Sequence, residues 1–213
     1  MAHQKLFFQQ FFADFFHVGA ILPSSRYLGK AVVSYLAQEQ GQVRVLEAGA
    51  GTGPFTREIV PLLQPGDILD AVELNPKLIA MLEQRFAREP EFRTLDGVEV
   101  NLIADDVRNV AKKHHYDFIV FSLPLTNFPP SLVQEILDLM MAQLRPGGVF
   151  SYVHYIFISR LKYVFSSSAM RAEIRANKKI ITSFADQYQI ERRAVLRNVP
   201  PSWAYFWQKP ADD

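Results

Sequence analysis

Residues 45–56 read VLEAGAGTGPFT: an apolar run leads into three alternating glycines and then into the start of a helix. Because glycine has no Cβ, the backbone of such a segment can turn tightly and approach a ligand closely. A helix that begins there offers unpaired backbone N–H groups to a carboxylate or a phosphate. The segment therefore predicts a buried strand, a ligand-binding turn and a helix, in that order.

Short apolar runs alternate with helical patterns on the carboxyl side of this segment. Strands are predicted over residues 43–48, 68–74, 98–103, 116–123, 149–155, 190–197 and 204–208. Helices are predicted over 55–63, 76–87, 131–144 and 160–188, and the last could break at 166–168. This alternation indicates an α/β fold in which crossover helices join a parallel sheet. Residues 1–42 add two helices that this core does not require.

The composition limits the classes of protein to consider. A chain of 213 residues with 49% hydrophobic and 21% charged residues is expected to fold as one globular domain, 1–213, with an extension at 1–42 and a core at 43–213. The absence of cysteine excludes disulfides, thiolate zinc sites and a cysteine nucleophile. A net charge of +1 gives no overall reason to expect nucleic acid. We also expect no secretory signal, no transmembrane helix and no metal site.

The predicted turn is flanked by two acids that indicate which cofactor it holds. Glu73 follows the last glycine by about 20 residues, where an acid hydrogen-bonds the hydroxyls of a ribose. The glycines follow the pattern Glu-x-Gly-x-Gly-x-Gly rather than the dinucleotide pattern Gly-x-Gly-x-x-Gly. Glu47, just before the glycines, can face the ammonium of a methionine moiety and would repel a pyrophosphate. The pattern favours S-adenosylmethionine as cofactor, with S-adenosylhomocysteine as the product.

Two adjacent acids after the third predicted strand are candidates for binding the adenine. Asp105 can accept a hydrogen bond from the adenine amino group, although it could instead cap the next helix. Asp106 could exchange roles with it. The remaining predicted cofactor-binding residues are Gly49, Ala50, Gly51, Gly53, Leu74 and Ser122.

Residues 11–26, with the sequence FFADFFHVGAILPSSR, resemble the leader of bacterial phospholipid N-methyltransferases. The resemblance continues through residues 47–56, 122–125 and 198–202. It implies a Rossmann-like class I methyltransferase fold: a seven-stranded, mostly parallel sheet with a C-terminal antiparallel strand, preceded by N-terminal amphipathic helices. It also implies that phosphatidylethanolamine is methylated stepwise to phosphatidylcholine, by a cytoplasmic protein held peripherally on the inner face of the cell membrane.

The turn after the fourth predicted strand separates this family from its more distant relatives. Ribosomal RNA adenine dimethylases have Asn-Leu-Pro-Tyr there, and this chain has Ser122-Leu123-Pro124-Leu125. The amide and the stacking ring that hold a base are both missing, which counts against a nucleobase acceptor. An RNA or small-molecule amine methyltransferase remains the alternative, and so does a silent adaptor that retains the fold.

Two segments are candidates for contact with an anionic membrane. Six phenylalanines, at positions 7, 8, 11, 12, 15 and 16, fall on one half of a helical wheel, which suits the headgroup–acyl boundary or a lid, although the face could also pack on the core. The basic segment, residues 157–180, has six basic residues against one acidic residue. It could attract anionic headgroups or RNA phosphates, or form an ordinary solvated helix face.

The acceptor side of the site is predicted from what methyl transfer requires. Methyl transfer is an in-line displacement that needs orientation, exclusion of water and, for an ammonium acceptor, loss of a proton. Five residues are expected where the fold should converge on the sulfonium: Tyr27, Ser122, Asn127, His154 and Tyr155. The protein is expected to act as a monomer.

Overall fold

The computed structural model of the protein describes residues 24–111, 115–156 and 167–211. The phenylalanine-rich helix predicted near the amino terminus lies outside the described residues, as does the first part of the basic segment. The helices are α1 (Arg26–Val32), α2 (Thr56–Ile59), α3 (Pro76–Arg88), α4 (Val107–Ala111), α5 (Pro130–Gln143) and α6 (Ser168–Tyr188). The strands are β1 (Arg44–Ala48), β2 (Ile68–Val72), β3 (Glu99–Ile103), β4 (Tyr116–Phe121), β5 (Leu144–Tyr155), β6 (Gln189–Val195) and β7 (Ser202–Gln208).

The seven strands form one sheet in the order β3-β2-β1-β4-β5-β7-β6. The first five are parallel to one another, and β7 runs antiparallel between β5 and β6. This confirms the predicted fold class. Ala48 at the end of β1 pairs with Val72 of β2 and Phe121 of β4, so the carboxyl ends of these strands coincide. The strand order reverses at β1, and ligands bind such sheets at this point, outside the carboxyl ends of the strands.

Several element boundaries differ from those predicted. The helix expected over 55–63 is one α-helical turn followed by a 3-10 turn, Val60–Leu62, because Pro61 has no backbone N–H to continue the helix. Strand β5 begins at Leu144 rather than at 149, since Leu144 already pairs with Tyr116. Helix α6 begins at Ser168, within the predicted break, and the Ser167 side chain caps it by accepting from the N–H of Met170.

The sheet is buried on both faces. Alternation along β1 sends Leu46 toward α4, α5 and α6 and sends Val45 toward α1, α2 and α3. Trp207 of β7 stacks with Phe150 and Phe184 on the first face. With both faces covered, the carboxyl edge of the sheet is left to hold a ligand. In the part of the chain that the structure describes, no helix combines the length and the apolar character that a bilayer crossing requires.

Candidate active site

The turn after β1 takes a backbone conformation that favours glycine. Gly49 and Gly51 have φ of 85° and 58°. A Cβ on Gly49 would also lie 2.7 Å from Leu123 Cδ2 and 3.0 Å from Ser122 Oγ, so this glycine lets the end of β4 pack against the turn. A Cβ on Gly51 would meet no atom within 4 Å, so its conformation alone requires glycine.

Glu73 connects the end of β2 to the glycine turn. Its buried carboxylate accepts from the backbone N–H of Gly51 (3.1 Å) and of Asn75 (2.9 Å), with one oxygen for each. Burial raises the pKa of Glu73, and these backbone N–H groups act in the opposite direction. Each carboxylate oxygen can accept a further hydrogen bond, so the group is suited to ribose hydroxyls. Its role as ribose acceptor stays a prediction.

Glu47 lies beneath the turn rather than on its surface. It is wholly buried, and its Oε2 accepts a 2.6 Å hydrogen bond from Thr56 Oγ1 at the start of α2. Its Oε1 has no hydrogen-bond partner among the described residues. Burial raises the pKa of this carboxyl to about 8. A buried acid with an unpartnered oxygen next to the turn fits a cationic ligand group, which would favour its ionised form.

Beside the turn, a cavity brings together residues from five parts of the chain. Four of the predicted cofactor residues line it: Gly49, Leu74, Asp105 and Asp106. Its other walls are apolar and come from Val72, Val107, Leu123 and Ile136. Apolar walls together with acids suit a purine that carries an exocyclic amine. The sequence analysis did not predict the residues of the apolar walls. Among them, Val107 could have been predicted, because it directly follows the two acids.

The two adjacent acids have different partners. Asp106 accepts from the backbone N–H of Arg108 (2.9 Å) and pairs with its guanidinium (2.6 Å), so it caps α4 and is neutralised locally. Arg108 also reaches Glu135 at 3.1 Å. Asp105 Oδ1 accepts from the N–H of Asp106 (2.7 Å) and from the side chain of Asn109 (3.1 Å). The geometry thus gives the capping role to Asp106 and leaves Asp105 as the better candidate for the adenine amine.

Ser122 joins the end of β4 to the glycine turn. Its N–H donates to Ala48 O at 3.0 Å, and its Oγ donates to Gly49 O at 2.6 Å. Beyond it, a 3-10 turn, Leu125–Asn127, contains the predicted residue Asn127. We call residues 122–128 the acceptor turn. Ser122 is thus in contact with the predicted cofactor turn, while Asn127 lies five residues farther along.

Asn177 of α6 holds the acceptor turn in place, a role that the sequence analysis did not assign. Its buried side chain donates to Leu125 O (3.2 Å) and Phe128 O (2.8 Å), and its Oδ1 has no hydrogen-bond partner among the described residues. The only signal was a polar residue on the inner face of a predicted helix. Because the partners are 52 and 49 residues away along the chain, the contact itself carried no sequence signal.

The five residues predicted to converge on the sulfonium do not all share one side of the sheet. His154 lies on the α4–α6 side, where its Nδ1 is 3.1 Å from Tyr152 Oη, and burial lowers its pKa. Tyr155, the next residue of β5, packs on the opposite face, because strand side chains alternate. Tyr27 is exposed, and its ring faces the Arg197 guanidinium at 5.1 Å. Tyr155 thus packs on the face opposite His154 and Tyr27 is exposed, and the convergence of these residues on the sulfonium stays a prediction.

Comparison with known proteins identifies the type of domain. A family model described as a methyltransferase domain matches residues 45–148. The chain is similar to an ornithine lipid N-methyltransferase from Singulisphaera acidiphila, with 27% identity over 207 residues, covering 94% of this chain and 93% of that protein. It is also similar to a probable ribosomal RNA small subunit methyltransferase A from Methanosarcina acetivorans, with 28% identity over 174 residues, covering 82% of this chain and 54% of that protein.

Solved structures show the same fold. The N-methyltransferase NodS from Bradyrhizobium japonicum, in complex with S-adenosylhomocysteine, matches with a TM-score of 0.58 and 18% identity, over 87% of this chain and 84% of that chain. The family match begins in β1 and ends before the apolar part of β5, so it contains the glycine turn, Glu73 and both adjacent acids. With this sheet order and this turn, the chain has the fold of class I S-adenosylmethionine-dependent methyltransferases, and about half of it, residues 45–148, matches a methyltransferase domain.

Proposed function

We propose that the protein methylates the amino nitrogen of a membrane lipid, and that phosphatidylethanolamine and its methylated derivatives, on the way to phosphatidylcholine, are its acceptors. The observation that carries this proposal is the similarity over 94% of the chain to an ornithine lipid N-methyltransferase. An ethanolamine headgroup and an ornithine headgroup both offer a primary amine. The leader at residues 11–26 favours the phospholipid, and the ornithine lipid is the second candidate.

The acceptor turn supports a lipid amine over an RNA base. Leu125 stands where the RNA methyltransferases have a stacking tyrosine, and its side chain is buried in the core that α5 and α6 cover. It therefore offers no surface on which an extruded base could stack. Ser122 stands where the RNA methyltransferases have asparagine, and its hydroxyl donates a hydrogen bond to Gly49 O.

We assign the orientation of the cofactor and the removal of the proton to the chain's own residues. S-adenosylmethionine, when bound, supplies a methyl group already activated by its sulfonium. Glu73, Asp105 and the glycine turn would hold the nucleoside part, and Glu47 would favour the cationic methionine part. A protonated amine has no lone pair, so it must lose a proton before it can attack. Because burial lowers the pKa of His154, its imidazole is neutral near pH 7 and can accept that proton.

The proposal places the protein on the cytoplasmic face of the membrane as a monomer. The phenylalanine-rich helix and the basic segment would make the contact. Within the described part of that segment, Arg175, Lys178 and Lys179 of α6 are exposed, as this role requires.

The deciding experiment offers purified protein labelled cofactor with one acceptor at a time. The acceptors are vesicles of phosphatidylethanolamine, vesicles of ornithine lipid, ribosomal RNA and free ethanolamine, and the products are resolved by chromatography and mass spectrometry. We expect label in mono-, di- and trimethylated phosphatidylethanolamine. Label in RNA or in free amine, with none in either lipid, would overturn the proposal. If the protein fails to bind the cofactor at all, it is an adaptor that retains the fold.

A further inference from the structure

Three large apolar side chains are exposed together near the start of α1 and the turn between β6 and β7. Leu196 is 73% exposed, Val199 is 68% exposed and Tyr27 is 55% exposed. The turn itself is residues 196–201, with the sequence LRNVPP. We call Tyr27, Leu196, Arg197 and Val199 the edge patch. Isolated exposed side chains of this kind need no explanation, but a group of them often marks an interaction surface.

The edge patch lies at the same edge of the sheet as the glycine turn. Strand β7 is antiparallel to β5, and Ser202 at its start pairs with both Tyr155 at the end of β5 and Val195 at the end of β6. The β6–β7 turn therefore projects beyond the carboxyl end of β5. The glycine turn projects beyond the carboxyl end of β1 in the same direction, three strands away in the sheet order.

The patch is held rigidly, so its exposure does not come from a loose segment. Buried Asn198 donates to Pro200 O (2.8 Å) and to Ser202 Oγ (3.0 Å) within the turn. Its Oδ1 accepts from the N–H of Ser25, the residue that caps α1 (2.8 Å). Arg197 lies over the ring of Tyr27 with its Nη1 3.4 Å from the phenol oxygen. These contacts fix the turn against the start of α1.

The edge patch carries one formal charge, the positive charge of Arg197. Arg197 and Arg26 are exposed there, and residues 24–33 and 196–201 contain no acid. Arg26 forms an ion pair with Glu91 at 3.1 Å, whereas the guanidinium of Arg197 lies over the ring of Tyr27. Apolar side chains with arginine beside them suit the boundary between the anionic headgroups and the acyl chains of a bilayer.

We propose that the edge patch inserts into the headgroup–acyl boundary of an anionic bilayer and turns the carboxyl edge of the sheet toward the membrane. This inference rests on the proposed lipid acceptor, because a lipid amine can reach the cofactor without leaving the bilayer only if that edge faces the membrane. The patch is a contact separate from the phenylalanine-rich helix and the basic segment. It sets the orientation of the bound protein and not only its attachment.

The first test removes the apolar part of the patch from the full-length protein. In Leu196→Ser/Val199→Ser we expect binding to vesicles of phosphatidylethanolamine and phosphatidylglycerol to weaken about tenfold or more, from the apolar area withdrawn from the bilayer. The matched control is Ile190→Ser/Leu95→Ser. Ile190 is 45% exposed at the start of β6, Leu95 is 54% exposed before β3, and both lie toward the amino edge. The control should bind vesicles as the wild type does, and both variants should bind the cofactor normally.

The second test reports insertion directly and does not depend on the strength of binding. The chain has no cysteine, so Val199→Cys and Ile190→Cys can each carry a single polarity-sensitive fluorophore. On adding vesicles we expect a blue shift from the label at position 199 and none from the label at position 190. An unshifted label at 199 on vesicle-bound protein, or equal shifts at both positions, would overturn the orientation.

Failure of this inference can be told from failure of the proposed function. If the Leu196→Ser/Val199→Ser variant binds and methylates vesicle lipid as the wild type does, the edge patch is not a membrane contact although the lipid acceptor stands. If the wild type methylates no lipid, either in vesicles or as a short-chain soluble form, the proposed lipid acceptor is wrong. The proposed membrane contact of the edge patch, which rests on it, is then wrong as well. If the substitution instead dissociates a dimer seen by light scattering, the patch joins two copies of the chain and the inference is wrong.

Discussion

Replacing Glu47 with glutamine should change how the stability of the cofactor-free protein depends on pH. Burial raises the pKa of this carboxyl from 4.5 to about 8. The folded protein therefore keeps a proton over a pH range in which the unfolded chain has lost it. The stability of the wild type is reduced progressively as pH rises from about 4.5 to about 8, and the reduction is complete above the folded pKa.

The structure sets the scale of the effect. One pKa unit corresponds to about 1.4 kcal/mol, so this carboxyl costs on the order of 5 kcal/mol in the free energy of unfolding at the alkaline end of the range. Glutamine keeps an oxygen that can accept from Thr56 Oγ1, and it does not titrate. We expect Glu47→Gln to gain several kcal/mol relative to the wild type between about pH 5 and about pH 8.

The assay is urea unfolding of the wild type and the variant across this pH range, without cofactor. Glu83→Gln is the matched control, because Glu83 is an exposed carboxylate on α3. The curve of unfolding free energy against pH for Glu83→Gln should run parallel to that of the wild type. If the Glu47→Gln and wild-type curves are also parallel, the carboxyl is ionised in the folded protein and the reasoning from its burial is refuted.

The other predictions concern cofactor binding, the acceptor turn and the membrane. Glu73→Ala should weaken S-adenosylmethionine binding about tenfold or more by calorimetry, since a charged acceptor is worth ~1.5–3 kcal/mol; unchanged affinity in a folded variant would remove Glu73 from the site. Asn177→Leu removes the two side-chain hydrogen bonds to the carbonyls of Leu125 and Phe128, so thermal unfolding should show a loss of about 1–3 kcal/mol and activity should fall more than cofactor affinity; an equal fall in both would mean that Asn177 does not act through the acceptor turn. Replacing Phe8, Phe11 and Phe15 with serine should abolish vesicle cosedimentation, at roughly 25 cal/mol per Å² of apolar surface withdrawn, and leave cofactor binding intact; a variant that unfolds instead would identify this helix as part of the core.

The strand–turn–helix unit and the acids around it could be predicted because their signals are local. An apolar run of five or six residues, glycines at alternate positions and an acid about 20 residues later are all patterns in the order of residues. Glu47 and Glu73 were identified from that order, and the structure places both against the glycine turn. The mostly parallel sheet followed from the alternation of strands and helices, since a crossover helix joins parallel strands, whereas the order of the strands came from the structure.

What the sequence by itself determined is the fold class, and it predicted the glycine turn and the acids beside it, because each depends on residues near one another in the chain. Only the tertiary structure decided which residues complete the site. Ile136 reaches the cavity beside the glycine turn from α5, and Asn177 reaches the acceptor turn across 52 residues. The partners of Asp105 and Asp106 separated two acids that the sequence left equivalent. Such contacts depend on how distant elements pack, and the periodicity of an element shows which face is buried but not which distant residue that face meets.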